Sequence, residues 1–401
     1  MTTPRFLQLH FLSSYPGALI NRDDAGLAKR LPFGAATRTR ISSQCLKRHW
    51  RMADDDRSIH RLALSEGIAS HRSKEAIERM VSPRLHHKHA TDIVDALEQE
   101  LIKVIYGSKA LDKKSRQALL LGSQEIDWLV DVAEGIASSV SGADGVAEAV
   151  KDFFGDKLQK ANLKQLLKTQ ALAPGLEAAL FGRMITSDPR ANTDAAVHVA
   201  HAFTVHAEQP ELDYFTAVDD LTGRSEDNEE GGSGAAGVFD TELTSGLYYG
   251  YVVIDIPLLV SNTTGCKRAD WANDDTDRTL ASRVVENLVH LVATVSPGAK
   301  KGSTAPYSVS EAVLLEAGER QPRTLANAFR DPVALTGEPG TLAGRAANAL
   351  KDELDDIDTM YGEGEVRFLA ARKRMAFPGP QAVTLPELAE RAAQLVRDAS
   401  T

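Results

Sequence analysis

Cysteine is almost missing from this chain of 401 residues: only Cys45 and Cys266 occur. Two thiols cannot build a disulfide framework or a cysteine-rich zinc site, so a reducing compartment, the cytoplasm, is expected. Long apolar runs are missing as well. No stretch approaches the roughly 18 apolar residues of a membrane span, and the opening "MTTPRFLQLHFLSSYPG" lacks the basic start of a signal peptide. No membrane partner is therefore expected. Also absent are a Walker A loop, a Gly-x-Ser-x-Gly elbow and a dinucleotide fingerprint after a strand. The one glycine cluster, "GGSG" at 231–234, lies among acidic residues, the wrong setting for a phosphate cradle.

What is present is an ordinary globular composition, 43% apolar and 25% charged, long enough for two domains or for one with large insertions. The net charge is −10, yet it is unevenly spread. Between Arg22 and Arg51 stand eight basic residues (Arg22, Lys29, Arg30, Arg38, Arg40, Lys47, Arg48 and Arg51) against Asp23 and Asp24, a net of +6. The acidic remainder disfavours indiscriminate binding of polyanions, whereas a local basic patch can hold one of them in one groove.

The periodicities order the chain. "RFLQLHFL" (Arg5–Leu12) alternates and reads as a strand with Leu7, Leu9 and Phe11 inward and Gln8 and His10 outward. "SYPGALINRDDAG" reads as a loop. "TRTRI" (Thr37–Ile41) is a second strand with Arg38 and Arg40 on one face. Ser42–Ala53 reads as a helix with Ser42 as N-cap, Leu46 and Trp50 inward, and Gln44, Lys47, Arg48 and Arg51 on the other side. From about Ile59 to Phe181 the pattern is helical. It includes a ridge of Lys157, Lys160, Lys164 and Lys168 and a short helix between Pro174 and Gly182. Ala195–Ala207 also reads as helical. Tyr214–Leu243 has apolar flanks around an acidic, glycine-rich middle and reads as a hairpin arm with its tip at Thr222–Gly237. Gly246–Ile256 is expected as a strand, Ala281–Val295 as a helix, Glu311–Gly318 as a strand and Leu385–Ala399 as a helix. The expected fold class is α+β, a sheet domain interrupted by a helical insertion.

The basic window fits a groove for single-stranded nucleic acid: Arg and Lys bind phosphates by charge-assisted hydrogen bonds, and a helix start adds an anion site. The alternative is a solvated helix face with ion pairs. His86, His87 and His89, and His198, His201 and His206, raise a metal question, with His198 and His201 three apart on the expected helix, but no cysteine or glutamate completes a tetrahedral set. Asp23 and Asp24 could hold a divalent cation for phosphodiester cleavage, or could serve turn structure beside Arg22. Met184 and Phe215 carry no signal in their spacing.

Taken in order, "NRDD", "FG", "TRTRISSQCLKR", "GRM", "YFTAVDDL", "TSGLYYGY" and "VHLVATVSPGAKK" resemble the CasC family, the backbone subunits of the type I-E CRISPR Cascade complex. The resemblance spans about Asn21–Lys301. It implies a modified RNA-recognition-motif (ferredoxin-like) palm, helical fingers and an extended hairpin thumb. The boundaries would be palm at 1–57, fingers at 58–182, palm at 183–206, thumb at 207–245 and palm at 246–401. It implies binding to CRISPR RNA, to a target DNA strand, to further copies head-to-tail and to the other Cascade subunits, CasA, CasB, CasD and CasE, with no cofactor, no metal and no intrinsic activity. Carried over residue by residue, the RNA-gripping set is Arg22, Lys29, Arg38, Arg40, Ser42, Gln44, Lys47, Arg48, Arg51, Lys300 and Lys301. Met184 and Phe215 match positions that wedge against a kinked duplex, and the Lys157–Lys168 ridge resembles a finger helix that touches target DNA. The rival expectations are a metal-dependent endoribonuclease using Asp23 and a metal-dependent α/β metabolic enzyme.

Overall fold

The computed structural model describes residues 3–107, 109–155, 171–184, 192–218, 235–298 and 301–400. The chain opens with β1 (Phe6–Ala18), β2 (Arg30–Phe33), β3 (Ala36–Ile41) and α1 (Ser43–Arg51). A mainly helical block follows: α2 (Ile59–Ser65), β4 (Ser70–Ser73), α3 (Ser82–Leu85), α4 (Thr91–Tyr106), β5 (Leu119–Gly122), α5 (Ser123–Ser139), α6 (Val146–Gly155) and α7 (Leu176–Phe181). The chain then returns to the sheet through β6 (Val197–Val199), β7 (Ala202–Thr204), β8 (Pro210–Val218) and β9 (Ala235–Asp255). It ends with α8 (Ile256–Thr264), α9 (Thr279–Thr294), α10 (Lys301–Thr304), β10 (Ser310–Gly318), α11 (Leu342–Tyr361), β11 (Val366–Ala371), β12 (Gln381–Ala382) and α12 (Leu385–Arg397). No helix among the described residues is long and apolar enough to cross a membrane.

The fold is α+β around one mostly antiparallel sheet, ordered β12-β11-β10-β1-β9-β7-β3-β2, with β6 and β8 also paired to β9. Among the described residues only the short β11–β12 pair is parallel. β9 is the organising strand: its C-terminal half pairs with β1 and its N-terminal half runs out with β8 as a two-stranded arm, from Pro210↔Thr244 to Val218↔Ala235. At the Phe11↔Gly250 pair, a Cβ on residue 250 would lie 2.1 Å from the Phe11 ring, so this register accepts only glycine.

Helices cover both faces of the sheet. On one face Leu7, Leu9 and Phe11 pack with Leu46 and Trp50 of α1, Val285, Leu288 and Val289 of α9, and Leu388 and Ala392 of α12. Fully burying a side chain the size of Leu46 contributes roughly 2 kcal/mol. On the other face Leu12, Tyr249, Leu314 and Leu369 pack with Leu350 and Leu354 of α11. The helical block has its own apolar clusters, centred on Ile77, Leu101, Ile126 and Leu129, and on Leu97, Ile136 and Val150.

Several expectations are corrected. Gln8 and His10 do not face water; both are 2% exposed, because residues 320–330 and α11 close that face. His10 sits 3.1 Å from Glu316, which also receives Arg323 at 2.8 and 2.9 Å and Arg367 at 2.7 Å, and Tyr251 donates to Gln8 at 2.6 Å. Alternation identifies the strand but does not distinguish a wet face from a buried polar layer. Residues 197–199 and 202–204 are strands, not helix, since their β-branched and aromatic side chains pair with β9 (Val197↔Ile254, Phe203↔Tyr249). The stretch read as a loop from Ser14 begins as strand: β1 runs on through Pro16 and Gly17 to Ala18, with a register shift between Tyr15 and Ala18 absorbing them. The helical block also contains an unexpected β4–β5 ladder, Ser70↔Gly122 to Ser73↔Leu119. Of the expected arm tip, Ala235–Gly237 belong to β9 and 222–234 lie outside the described residues.

Candidate nucleic-acid interface

The site grows from α1. Ser42 caps it, accepting the Cys45 N–H at 3.3 Å, and the Ser42 N–H donates to Asn21 Oδ1 at 2.9 Å. Asn21 thereby ties the "NRDD" loop to the helix start. Lys29 N–H donates to the Asn21 carbonyl at 2.9 Å, and Arg22 bridges Ala28, so Arg22 and Lys29 flank the N-terminal end of α1. Asp23 is engaged within this loop: its carboxylate accepts the Leu27 N–H at 3.0 Å, and its own N–H donates to the Leu27 carbonyl at 2.8 Å.

With Leu46 and Trp50 fixed in the core, helical spacing turns Gln44, Lys47, Arg48 and Arg51 to the opposite side. There they line a cleft of about 420 Å³ whose other wall comes from the helical block: Arg72 of β4, Leu120 of β5, and Glu177 and Phe181 of α7. Lys47 Nζ lies 5.4 Å from the centre of the Phe181 ring, a cation–π contact, and its partial burial lowers its pKa. Arg51 faces the buried Glu177 at 3.3 Å. Burial raises the Glu177 carboxyl, and Arg51, His60 and Arg72 oppose that rise. Lys47, Arg48 and Arg72 form no ion pair with an acidic side chain among the described residues.

At the far end of α1, His49 Nδ1 donates to the Cys45 carbonyl at 2.8 Å and Nε2 receives the Gly298 N–H at 3.4 Å. This neutral imidazole, its pKa lowered by burial and by the charges of Lys301 and Arg48, anchors the "PGAKK" loop beside α1 and brings Lys301 near His49. Lys301 is exposed at the start of α10, whereas Lys300 lies outside the described residues.

Arg38 does not join this group. It is fully buried and donates to the carbonyls of Thr204 at 3.0 Å and Phe329 at 2.8 Å, with its guanidinium 5.9 Å from the Phe33 ring. It clamps the β2–β3 hairpin onto residues 326–330. Gly34, at φ +60°, makes the same contact from the turn; a Cβ there would lie 1.7 Å from the Arg330 carbonyl oxygen. Arg40 is half-buried, donating to the Arg30 carbonyl at 3.1 Å and contacting His201 at 2.9 Å. Arg30 is paired with Glu208 at 2.5 Å and with Glu242. Ser42 is buried and acts as the helix cap.

His198, His201 and His206 do not converge. His198 meets the Ala195 carbonyl, His201 meets Arg40, and His206 contacts the Ala207 carbonyl and accepts the Leu247 N–H. Among the described residues no group of three or more His, Cys, Asp or Glu side chains is placed to hold a metal ion. Met184 is 68% exposed, next to Arg183, whose buried ion pair with Glu125 at 2.6 Å sets its place. Phe215 lies on β8 opposite Phe239. Lys157, Lys160, Lys164 and Lys168 lie outside the described residues. Arg72, Glu177 and Phe181 are the side chains that sequence patterning missed.

Residues 7–396 match the Cas family of CT1975-like proteins, and the chain belongs to that family. No curated protein matches it in sequence. Its fold is similar to that of a chain in a "CRISPR RNA-guided surveillance complex, pre-nicking", with TM-score 0.70 and 24% identity over 98% of this chain and 100% of the other. A chain of a second "CRISPR RNA-guided surveillance complex" gives TM-score 0.63 and 22% identity over 97% of this chain and 99% of the other.

Proposed function

We propose that this member of the CT1975-like family is a non-enzymatic CRISPR RNA-binding subunit of the CasC kind. In this reading its sheet domain is a modified RNA-recognition-motif palm, the helical block the fingers and the β8–β9 arm the thumb. Copies polymerise head-to-tail along the guide spacer and present it for pairing with target DNA in a type I-E Cascade assembly. The observation that carries the reading is the α1 cleft. Gln44, Lys47, Arg48 and Arg51 line one groove, while Lys29 stands near Cys45 and Lys301 near His49 on the flank of the same helix.

The chemistry of the groove suits a guide-holder. Long cationic side chains and an amide grip a phosphate backbone without reading bases, and sequence recognition is left to pairing between guide and target. If about five side chains neutralise phosphates, the log–log dependence of single-strand affinity on salt has a slope near −3.5. Asp23 is engaged in its own loop, and the reading assigns it no catalytic step.

The test is purification of the full chain from cells expressing a guide RNA. The expected result is bound RNA of one discrete length that is released by salt, and no cleavage of complementary RNA when Mg²⁺ is added. Protein free of RNA after guide co-expression overturns the binding role. Regular cleavage products lost in Asp23→Ala overturn the non-enzymatic role.

A further inference from the structure

The α1 cleft does not stop at α1. A second cleft of about 410 Å³ opens on the other side of Arg51, Arg72 and Glu177, which line both. Its remaining wall belongs to the helical block and includes His60 of α2, Ser70 of β4 and Arg79. Arg79 lies in a π-helical turn at Ile77–Val81, an irregularity that recurs where helices serve a site.

The polar groups at this junction are not balanced. Arg51 meets Glu177 through NH1 alone, and its Nε is buried without a hydrogen-bond partner. His60 Nδ1 is likewise buried and without a partner, at 3.7 Å from Glu177. Arg72 is exposed and unpaired among the described residues, while Arg79 is matched by Glu75 at 2.6 Å. Glu177 therefore faces two arginines it cannot both neutralise, and a buried donor without a partner costs free energy until a ligand supplies an acceptor. A phosphodiester meets both needs, since it brings one negative charge and acceptor oxygens to guanidinium and imidazole donors.

We infer that the junction cleft is a second phosphodiester subsite, occupied by the same strand as it leaves α1 and passes towards the helical block. His60 is its principal new ligand, and Arg51 and Arg72 are shared between the two subsites. This inference rests on the proposal that the α1 cleft holds single-stranded nucleic acid.

Salt titrations of affinity, by fluorescence anisotropy, test it on the full chain with two single-stranded RNAs. One just fills the α1 cleft and the other is several nucleotides longer. Arg72→Ala is expected to make the slope on the longer strand shallower by about 0.7, one phosphate contact; because Arg72 also lines the α1 cleft, the variant that discriminates the two subsites is at His60, which lines only the second. Arg72→Lys, which keeps the charge, restores the slope, as a merely structural residue would not. His60→Ala is expected to weaken the longer strand alone. An unchanged affinity of His60→Ala for the longer strand, with Arg48→Ala still reducing the slope on both, overturns the second subsite and leaves the α1 groove standing. An effect of His60→Ala that emerges only when a complementary strand is added also overturns it, because the cleft then serves the second strand. No effect of Arg48→Ala on either strand removes the α1 groove itself.

Discussion

At the scale of the residue, neighbouring arginines of one basic window do opposite work. Arg48 stands on α1, exposed and without an ion-pair partner among the described residues, whereas Arg38 is sealed under the hairpin and bonded to carbonyls. Arg38→Ala removes three charge-assisted hydrogen bonds and strands the buried carbonyls of Thr204 and Phe329. It is expected to lower stability by about 2 kcal/mol while the folded protein keeps its single-strand affinity. Arg48→Ala is expected to leave stability within about 0.5 kcal/mol and to make the salt slope shallower by about 0.7. Urea unfolding followed by tryptophan fluorescence, alongside anisotropy titration, separates the two. If Arg38→Ala weakens RNA binding without loss of stability, the structural assignment of Arg38 is wrong. Period-two alternation had put Arg38 and Arg40 on one face, and that much holds. It could not reveal that residues 326–330 cover the inner end of that face, because those residues are remote in sequence.

At the scale of the element, what was legible tracks local periodicity. α1, α9 and α12 and the apolar face of β1 were readable, since each buries one stripe whose spacing is its own. β6 and β7 were not, because alanine and valine at mixed spacing leave helix and strand undecided until β9 supplies the pairing. The same holds for the cleft: Gln44, Lys47, Arg48 and Arg51 share a helix face that the sequence displays, but Arg72, Glu177 and Phe181 reach them only through the tertiary fold.

The polar layer under α11 joins β1, β9, β10 and β11 and gives an element-scale prediction. Burial alone would raise the Glu316 carboxyl, but hydrogen bonds from His10 and Arg323 and the charge of Arg323 hold it well below the usual range. Burial lowers His10 despite its bond to Glu316. Both shifts mean that the folded state binds fewer protons than the unfolded chain. Their stabilisation is complete above the ordinary histidine pKa of about 6.5. It declines as pH falls, first as His10 protonates in the unfolded chain and then, below about 4.3, as Glu316 does. Each proton contributes a slope approaching 1.4 kcal/mol per pH unit. Burial also lowers His49, His71, His201, His206 and His290, so the whole chain should lose stability from about pH 6.5 downward. Denaturation midpoints across pH should show His10→Gln flattening the upper part of that decline and Glu316→Gln the lower part. Parallel curves for wild type and both variants would exclude this linkage.

At the scale of the whole molecule, the proposed role requires one copy to contact the next through unlike surfaces, a heterologous contact that propagates rather than closes. The arm offers a surface for it. On β8, Leu212 and Tyr214 point to one face and are 67% and 68% exposed, while Glu211 and Asp213, also exposed, alternate on the other. An apolar pair standing in water on a strand paired, among the described residues, only to β9 gains from being covered by another copy, and in the proposed role a longer guide would bring copies close enough to cover it. Leu212→Asp with Tyr214→Asp should therefore leave binding to a short strand that accommodates one copy unchanged. On a guide-length RNA the same variant should turn cooperative loading into independent loading, with partly filled intermediates visible by native mass spectrometry. Retained cooperativity would exclude the arm as the contact between copies. Equal loss of affinity on the short strand would exclude it too, because the two side chains would then be touching RNA. The acidic body bears on the same experiment: a chain of net charge −10 repels its own copies, so without RNA the contact should stay unmade at low ionic strength. In the proposed role, assembly would then depend on the guide, whose phosphates would neutralise the groove of each copy and whose length would limit how many copies can join.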